Sequence, residues 1–299
     1  MMDRLILPLL LCAQLLLGSI PIEVPPTPEK DYTIHRRVSE VHVAFTAQDK
    51  HGRYLRGLRK SDIAVSEDSR QVEGLTALYS YEELRQEVLV LVDTSDSMAK
   101  GLPQAARMTD KFLHELARPE LDSITVASFA ARARDLGSAQ LLNTGLGPLK
   151  AEGQTALYDA IYEACRRWGN SGIQERRVIV LLSDGEDTWS RHALRDTIDM
   201  AVRSDVSIYA ITAHKRRVHY TGDDVLLEMA EATGGKAFMV PRYDDLARVF
   251  AAIEQDIQAH YVVGFRPTGD SGLQGYHSVA IRIRNVDARV RAREGYFEE

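Results

Sequence analysis

Two unbroken apolar runs, Val88-Leu89-Val90-Leu91-Val92 and Val178-Ile179-Val180-Leu181-Leu182, constrain this chain more than any other feature. A strand with one face in water alternates apolar and polar residues, whereas a strand covered on both faces does not. Both runs therefore predict strands in the middle of a sheet with helices on each side. The surrounding segments agree. Residues 104–117, 155–168, 192–203, 225–232 and 244–258 read as helices, the fourth closed by Gly234-Gly235. Residues 124–129, 206–212 and 236–240 read as further strands. Strands alternating with helices predict an α/β fold, a doubly wound and mostly parallel sheet, over residues 87–258.

The flanks follow a different rule. Residues 38–45 alternate with period two, and 63–65 and 72–79 are further strand candidates separated by Glu67-Asp68-Ser69; Asp49-Lys50-His51-Gly52 supplies another turn. After residue 258 the β pattern returns at 261–265, 279–283 and 290–297, with a turn at Gly269-Asp270-Ser271-Gly272. Neither flank is long enough for a core of its own. Residues 37–86 and 259–299 are therefore expected to pair into one β-sandwich into which the α/β domain is inserted. Residues 20–36 hold Pro21, Pro25, Pro26 and Pro28 and read as an extended linker. Residues 1–19 combine Arg4, an apolar run from Leu5 to Leu17, and the small residues Gly18 and Ser19. That pattern is expected of a signal peptide, and so of a secreted, periplasmic or envelope protein; left uncleaved, the segment would be the chain's membrane attachment.

Composition excludes several classes. With 44% hydrophobic and 27% charged residues the chain has the material for a sizeable core. A net charge of −6 argues against nucleic acid as a partner. Its two cysteines, Cys12 and Cys165, exclude a disulfide scaffold and a four-cysteine zinc site, and Cys165 lies at helical spacing among apolar residues, as a core thiol would.

Chemistry concentrates at the ends of the apolar runs. Asp93-Thr94-Ser95-Asp96-Ser97 leaves the carboxyl end of the first, where open α/β sheets place ligands. A carboxylate and two hydroxyls at alternate positions are hard oxygen donors, suited to Mg²⁺, Mn²⁺ or Ca²⁺. Taken alone, the pentapeptide also fits an ordinary polar loop with a capping serine. Gly153-Gln154-Thr155 opens a helix and can project the Thr155 hydroxyl, and Ser183-Asp184-Gly185-Glu186-Asp187 leaves the second run, so Asp184 also belongs at a carboxyl end.

In this order, Asp-x-Ser-x-Ser, then a threonine after a glycine, then a Ser-Asp-Gly aspartate, residues 87–258 resemble the von Willebrand factor type A domain and its metal-ion-dependent adhesion site. The resemblance implies that Ser95, Ser97 and Thr155 bind a divalent cation directly, and that Asp93 and Asp184 bind it directly or through water. Mg²⁺ is the first expectation, with Mn²⁺ or Ca²⁺ also suited. It implies a protein partner whose acidic side chain completes the coordination. Asp96, Glu186 and Asp187 lie on the same rim, where they read either as a solvated polar loop or as the residues that select that partner. The flanks, with Gly57-Leu58-Arg59-Lys60-Ser61-Asp62-Ile63-Ala64-Val65 before the domain and Tyr261 to Phe265 and Val290 to Phe297 after it, look like a family of secreted bacterial proteins related to this domain.

Enzymes are the main rival class. A phosphotransferase of the haloacid dehalogenase type needs a second aspartate two residues after the first, and Ser95 stands there. A single-metal hydrolase needs a base beside the bound water, for which Glu186 is the one candidate. Thr268-Gly269-Asp270-Ser271-Gly272 is like a serine-protease nucleophile loop but sits between strands, where a hairpin turn is expected, and His214-Lys215-Arg216-Arg217 reads as a solvated loop. The expectation is a non-enzymatic binding module, with a bracing role in an envelope assembly as the alternative.

Overall fold

Alternation places Val41, Val43, Phe45 and Ala47 on the buried face of strand β1 (Val41–Asp49), the first element of the computed structural model. The structure describes residues 40–116, 118, 121–138, 149–168, 175–213, 221–267 and 275–298, all within one compact unit, Arg37–Glu299. The signal-peptide and linker segments, the Thr268–Gly272 turn and His214–Arg217 lie outside the described residues. Strand β1 is followed by β2 (Ile63–Glu67), β3 (Arg70–Gln71) and β4 (Leu75–Ser80). The turn joining β2 to β3 puts Asp68 and Ser69 in the left-handed region, at φ 45° and 67°.

Strands and helices then alternate: β5 (Arg85–Asp93), α1 (Leu102–Leu116), β6 (Ser123–Phe129), β7 (Ala133–Ser138), α2 (Leu157–Trp168), β8 (Glu175–Leu182), α3 (Leu194–Arg203), β9 (Val206–Ala213), α4 (Thr221–Ala232), β10 (Lys236–Val240) and α5 (Leu246–Ile257). The chain closes with β11 (Tyr261–Phe265), β12 (Tyr276–Ile283), β13 (Ala288–Ala292) and β14 (Gly295–Phe297).

Among the described residues the central sheet has six strands in the order β10-β9-β8-β5-β6-β7, parallel except for β7 at one edge. The fully apolar runs are its middle strands, β5 and β8, paired Val88↔Val178 through Val92↔Leu182. Their even and odd residues face opposite cores. Val88, Val90 and Val92 join Val178, Val180 and Leu182 beneath α1 and α5; Leu91, Ile179 and Leu181 pack with α2, α3 and α4. Each such side chain, buried on folding, contributes about 1.5–3 kcal/mol relative to remaining in water. Cys165 lies in the second core, where burial pushes its thiol up to about 12, as expected of an inert packing residue.

The flanking strands form two antiparallel four-stranded sheets, β13-β1-β11-β4 and β14-β12-β2-β3. Their inner faces share one core that includes Phe45, Ile63, Val65, Val263, Phe265 and Ile281. Each sheet thus combines strands from before and after the α/β domain. The expected single strand over 290–297 is two strands: β13 pairs with β1 and β14 with β12, so the chain changes sheets at Arg293-Glu294. The antiparallel β7 gives no strong period in sequence because an edge strand needs no continuous apolar run.

A buried polar knot ties the sandwich to the α/β part. Asp256 on α5 is 1% exposed and accepts hydrogen bonds from the phenols of Tyr54 and Tyr209 and from the Arg291 guanidinium of β13. Burial alone would raise its carboxyl pKa, but Arg291, His260 and the two phenols outweigh that and hold it below the ordinary value. Nearby, Arg291 Nε donates to Gly234 O at 3.2 Å, and Arg293 donates to Val202 O at 2.9 Å and His42 O at 2.7 Å. Arg203 lies 3.9 Å over the Phe297 ring.

Candidate metal centre

The register Val92↔Leu182 fixes what happens at the carboxyl ends of the central strands, because the next residues, Asp93 and Ser183, emerge side by side. Ser183 Oγ donates to Asp93 Oδ2 at 2.7 Å, and the Ser95 amide donates to Asp93 Oδ1 at 2.8 Å. Both carboxylate oxygens are therefore oriented. Asp93 is fully buried, and among the described residues no cationic side chain touches it. Burial accordingly raises its pKa, hydrogen bonds from Ser95 and Ser183 oppose the rise, and the nearby Asp184 carboxylate adds to it.

The loop after β5 folds into a short 3-10 turn, Asp96–Met98, that brings Ser95 and Ser97 together with their hydroxyl oxygens 3.0 Å apart. Ser95 is buried and Ser97 exposed, so the pair spans the boundary between protein and solvent. Two backbone bonds dock the next loop against this one: Asp96 N to Gly153 O at 3.2 Å and Glu152 N to Thr94 O at 2.8 Å. Gly153 takes φ +79°, a conformation that suits glycine. Thr155, expected to open the helix, stands just ahead of α2. Its amide donates to Thr188 Oγ1 at 3.0 Å, its carbonyl accepts from Thr188 and Trp189, and its hydroxyl makes no hydrogen bond among the described residues.

Asp184 is half-buried, and its Oδ1 accepts the Glu186 amide at 3.2 Å. Its backbone is pinned from the far side by the first turn of α4. A Cβ added to Gly222 would come 2.1 Å from Asp184 O, and one added to Gly185, at φ +79°, 2.2 Å from Gly222 O. Backbones this close require glycine on both sides. The structure thus brings Asp93, Ser95, Ser97, Thr155 and Asp184 to adjoining loops at one end of the sheet.

The expected rim residues separate. Asp96 and Glu186 are exposed, and Glu152, which sequence reasoning did not single out, is exposed beside Asp96. Asp187 is half-buried and engages both oxygens: Oδ1 accepts Ser190 N at 3.1 Å, and Oδ2 accepts Ser190 Oγ at 2.6 Å and Tyr158 N at 3.2 Å. It serves the N-terminal turn of α2, where unsatisfied amides and the helix dipole favour a carboxylate. Asp159 returns the favour to the same loop, accepting the amides of Arg191 and His192 at 3.0 Å each and contacting His192 Nδ1 at 2.7 Å, while His192 stacks on Tyr162 at 3.7 Å. Sequence reasoning also missed Ser183 as the residue that orients Asp93. Its position directly after an apolar strand and before Asp184 was the available signal.

The donor set consists of hard oxygens: two carboxylates and three hydroxyls, with no cysteine or histidine. Among the described residues there is no cluster of three or more His, Cys, Asp or Glu side chains of the kind that holds a metal through charge alone. A buried carboxylate without a cationic neighbour, beside hydroxyls with free lone pairs, fits a hard divalent cation.

One solved structure shares the fold, and others align less closely. Proximal thread matrix protein 1 from the mussel byssus, in a form with a zinc-occupied MIDAS motif, aligns with a TM-score of 0.50 at 16% identity, covering 62% of this chain and 48% of that one. Another structure of the same mussel protein aligns at 0.49 and 15% identity, covering 71% and 50%. BatB from Bacteroides thetaiotaomicron aligns at 0.46 and 19% identity, covering 57% of this chain and 96% of that one. The chain thus spans about half the length of the mussel protein. No curated protein sequence matches it. The family model described as the von Willebrand factor type A domain matches residues 87–252, more than half of the chain and the whole run from β5 to the middle of α5. With the doubly wound sheet and its strand-end loops, that match shows that the chain belongs to the von Willebrand factor type A family.

Proposed function

We propose that the chain is a metal-dependent protein-binding module of the adhesion type. The observation that carries this reading is the buried Asp93 carboxylate, held by Ser95 and Ser183, without a cationic side chain among the described residues, and next to the paired Ser95 and Ser97 hydroxyls. In this reading Ser95, Ser97 and Thr155 are direct ligands, and Asp93 and Asp184 ligate directly or through water. The ion, Mg²⁺ in the first instance, supplies a Lewis-acidic position open to a further oxygen. The residues of this chain do the rest. Ser183 fixes the rotamer of Asp93, Gly185 and Gly222 fix the height of Asp184, and the Asp96–Gly153 bond sets the distance between the first two loops.

The natural occupant of the open position is an acidic side chain of a partner protein, attracted by an incompletely neutralised cation in a partly desolvated contact. The exposed carboxylates Asp96 and Glu186 disfavour a partner with further acidic residues nearby and so contribute to selection. We further propose that the module is not an enzyme and that it works in the cell envelope or outside the cell, delivered by residues 1–19. No described helix is long and apolar enough to cross a membrane.

Partner capture from envelope extracts in Mg²⁺ and in EDTA, with the unaltered chain and with Asp93→Ala, tests the proposal. Capture lost on chelation and in the variant supports it. Capture unchanged by both, with the variant folded, would favour a bracing role. Ester or phosphate hydrolysis by the metal-loaded protein, abolished in Glu186→Gln, would replace it with an enzyme.

A further inference from the structure

Three loops frame the candidate metal centre, and each carries an exposed acid and an exposed base: Asp96 and Lys100 after β5, Glu152 and Lys150 before α2, Glu186 and Arg191 after β8. In the reading above Asp93 and Asp184 serve the ion, and Asp187 is engaged by Ser190 and Tyr158. Each exposed carboxylate therefore acts locally, and the rim as a whole favours a partner of neither sign. What distinguishes the rim is one large apolar side chain. Trp189 is 58% exposed, more than any other large hydrophobic residue among the described ones.

A lone apolar residue on a surface calls for no explanation. Trp189 differs in its place and in how it is held. Its amide donates to Thr155 O at 2.9 Å, so the indole springs from a residue bonded directly to a candidate metal ligand. Thr188 grips the same ligand, its amide on Thr155 O at 2.9 Å and its Oγ1 accepting the Thr155 amide at 3.0 Å. On the other side of Trp189, Ser190 is fixed to Asp187 through its amide and its hydroxyl, and the Arg191 and His192 amides donate to Asp159 at 3.0 Å each. The backbone is pinned before and after Trp189 while the side chain stands in solvent. A partner that covers it has little loop entropy to overcome. The ring is large and rigid, the property that makes tryptophan a frequent anchor of interfaces. A balanced rim adds no attraction for a cation over the indole, so the apolar area of the ring decides what it takes.

We propose that Trp189 is the apolar anchor of this surface. Its partner is a protein segment in which the acidic residue bound at the metal has a large apolar side chain close by in sequence, packed on the indole. The inference rests on the metal-dependent reading above and adds the second half of what is recognised. An extended segment advances about 3.3 Å per residue, which puts the apolar side chain within about four positions of the acid. Selection then divides between two groups: the metal centre takes the acid, and Trp189 takes its neighbour.

Selection of displayed random peptides on the immobilised full chain in Mg²⁺, with elution by EDTA, tests this. Peptides released from the unaltered chain should be enriched in an acidic residue with a large apolar residue within about four positions of it. On Trp189→Ala the acid should stay enriched and the apolar preference should vanish. A synthetic peptide from the first set should bind Trp189→Ala about tenfold or more weakly than the unaltered chain in calorimetric titration, and Trp189→Phe should recover most of the loss. An enriched acid without an apolar neighbour, an apolar preference that persists on Trp189→Ala, or equal affinity for the unaltered chain and that variant overturns the role of Trp189 alone. So does sedimentation of the unaltered chain as a dimer that Trp189→Ala dissociates, which would give the indole to a second copy. Peptides that lack an enriched acid and resist EDTA overturn the metal-dependent reading and this inference with it.

Discussion

Ser183 donates its hydroxyl hydrogen to Asp93 across the seam between the two central strands, at 2.7 Å, and accepts the Gly185 amide at 3.1 Å on its other side. One side chain therefore fixes both the rotamer of the buried carboxylate and the turn that carries Asp184. Ser183→Ala leaves Asp93 Oδ2 and the Gly185 amide without this partner. The expected result is a 10–100-fold loss of Mg²⁺ affinity in calorimetric titration, the range for residues that orient metal ligands. The fold persists, with a cost of about 1–3 kcal/mol in urea unfolding.

Gly222 tests the same site from another element. Its added Cβ would meet Asp184 O at 2.1 Å, a backbone atom that cannot swing away. Gly222→Ala should displace the Asp184 turn, cost about 1–3 kcal/mol of stability and weaken Mg²⁺ binding. Leu227, exposed on the same helix, is the control: Leu227→Ala should leave Mg²⁺ binding unchanged.

Asp187 and Glu186 are neighbours with opposite surroundings, so they should separate by assay. Asp187→Ala removes the carboxylate from the start of α2 and should lower stability by about 0.5–2 kcal/mol, as loss of a helix cap does. Glu186→Ala, on an exposed side chain, should leave the melting temperature unchanged and alter the association rate and salt dependence of partner binding measured by surface plasmon resonance.

The Asp256 knot predicts acid sensitivity. Its folded pKa lies below the unfolded value of about 3.9, so its stabilisation is fully present above that pH. It is lost as pH falls through the lower folded value. Asp256→Asn should remove this acid-dependent component from urea midpoints measured between pH 5 and pH 2. It should also cost about 1–3 kcal/mol at neutral pH, because the half-buried Arg291 loses its charged partner.

His277 predicts the reverse slope. It contacts Asp68 at 2.8 Å and Glu298 at 3.3 Å, tying the β2–β3 turn to the last strand, and the Asp68 hydrogen bond is the main cause of its raised pKa. Its contribution is fully present below the unfolded value of about 6.5 and is lost as pH rises through the folded one. Asp68 is well exposed, so the effect is about 0.5 kcal/mol. His277→Gln should flatten the stability profile between pH 6 and pH 8.

The central sheet was legible because burial on both faces leaves an unambiguous mark. Val88–Val92 and Val178–Leu182 have no polar interruption, and both stand where the sequence puts them. The places of the Asp93 and Asp184 loops were legible because each follows such a run directly, so position along the chain fixes position in the sheet; the loop that carries Thr155 follows no such run. The edge strand β7 and the break between β13 and β14 were not, because edge pairing and a change of sheet depend on neighbours distant in the chain.

Which residues could meet a hard cation followed from local properties alone: the apolar runs, the hydroxyls and carboxylates at their ends, and the order of the loops. What those groups do to one another came from the three-dimensional packing. It set Ser183 on Asp93 and turned Asp187 inward onto α2 while leaving Glu186 in solvent. The physical reason is that hydrogen-bond satisfaction and charge compensation are settled between segments far apart in the chain, and a residue's type states its capacity for partners but not which partners the fold supplies.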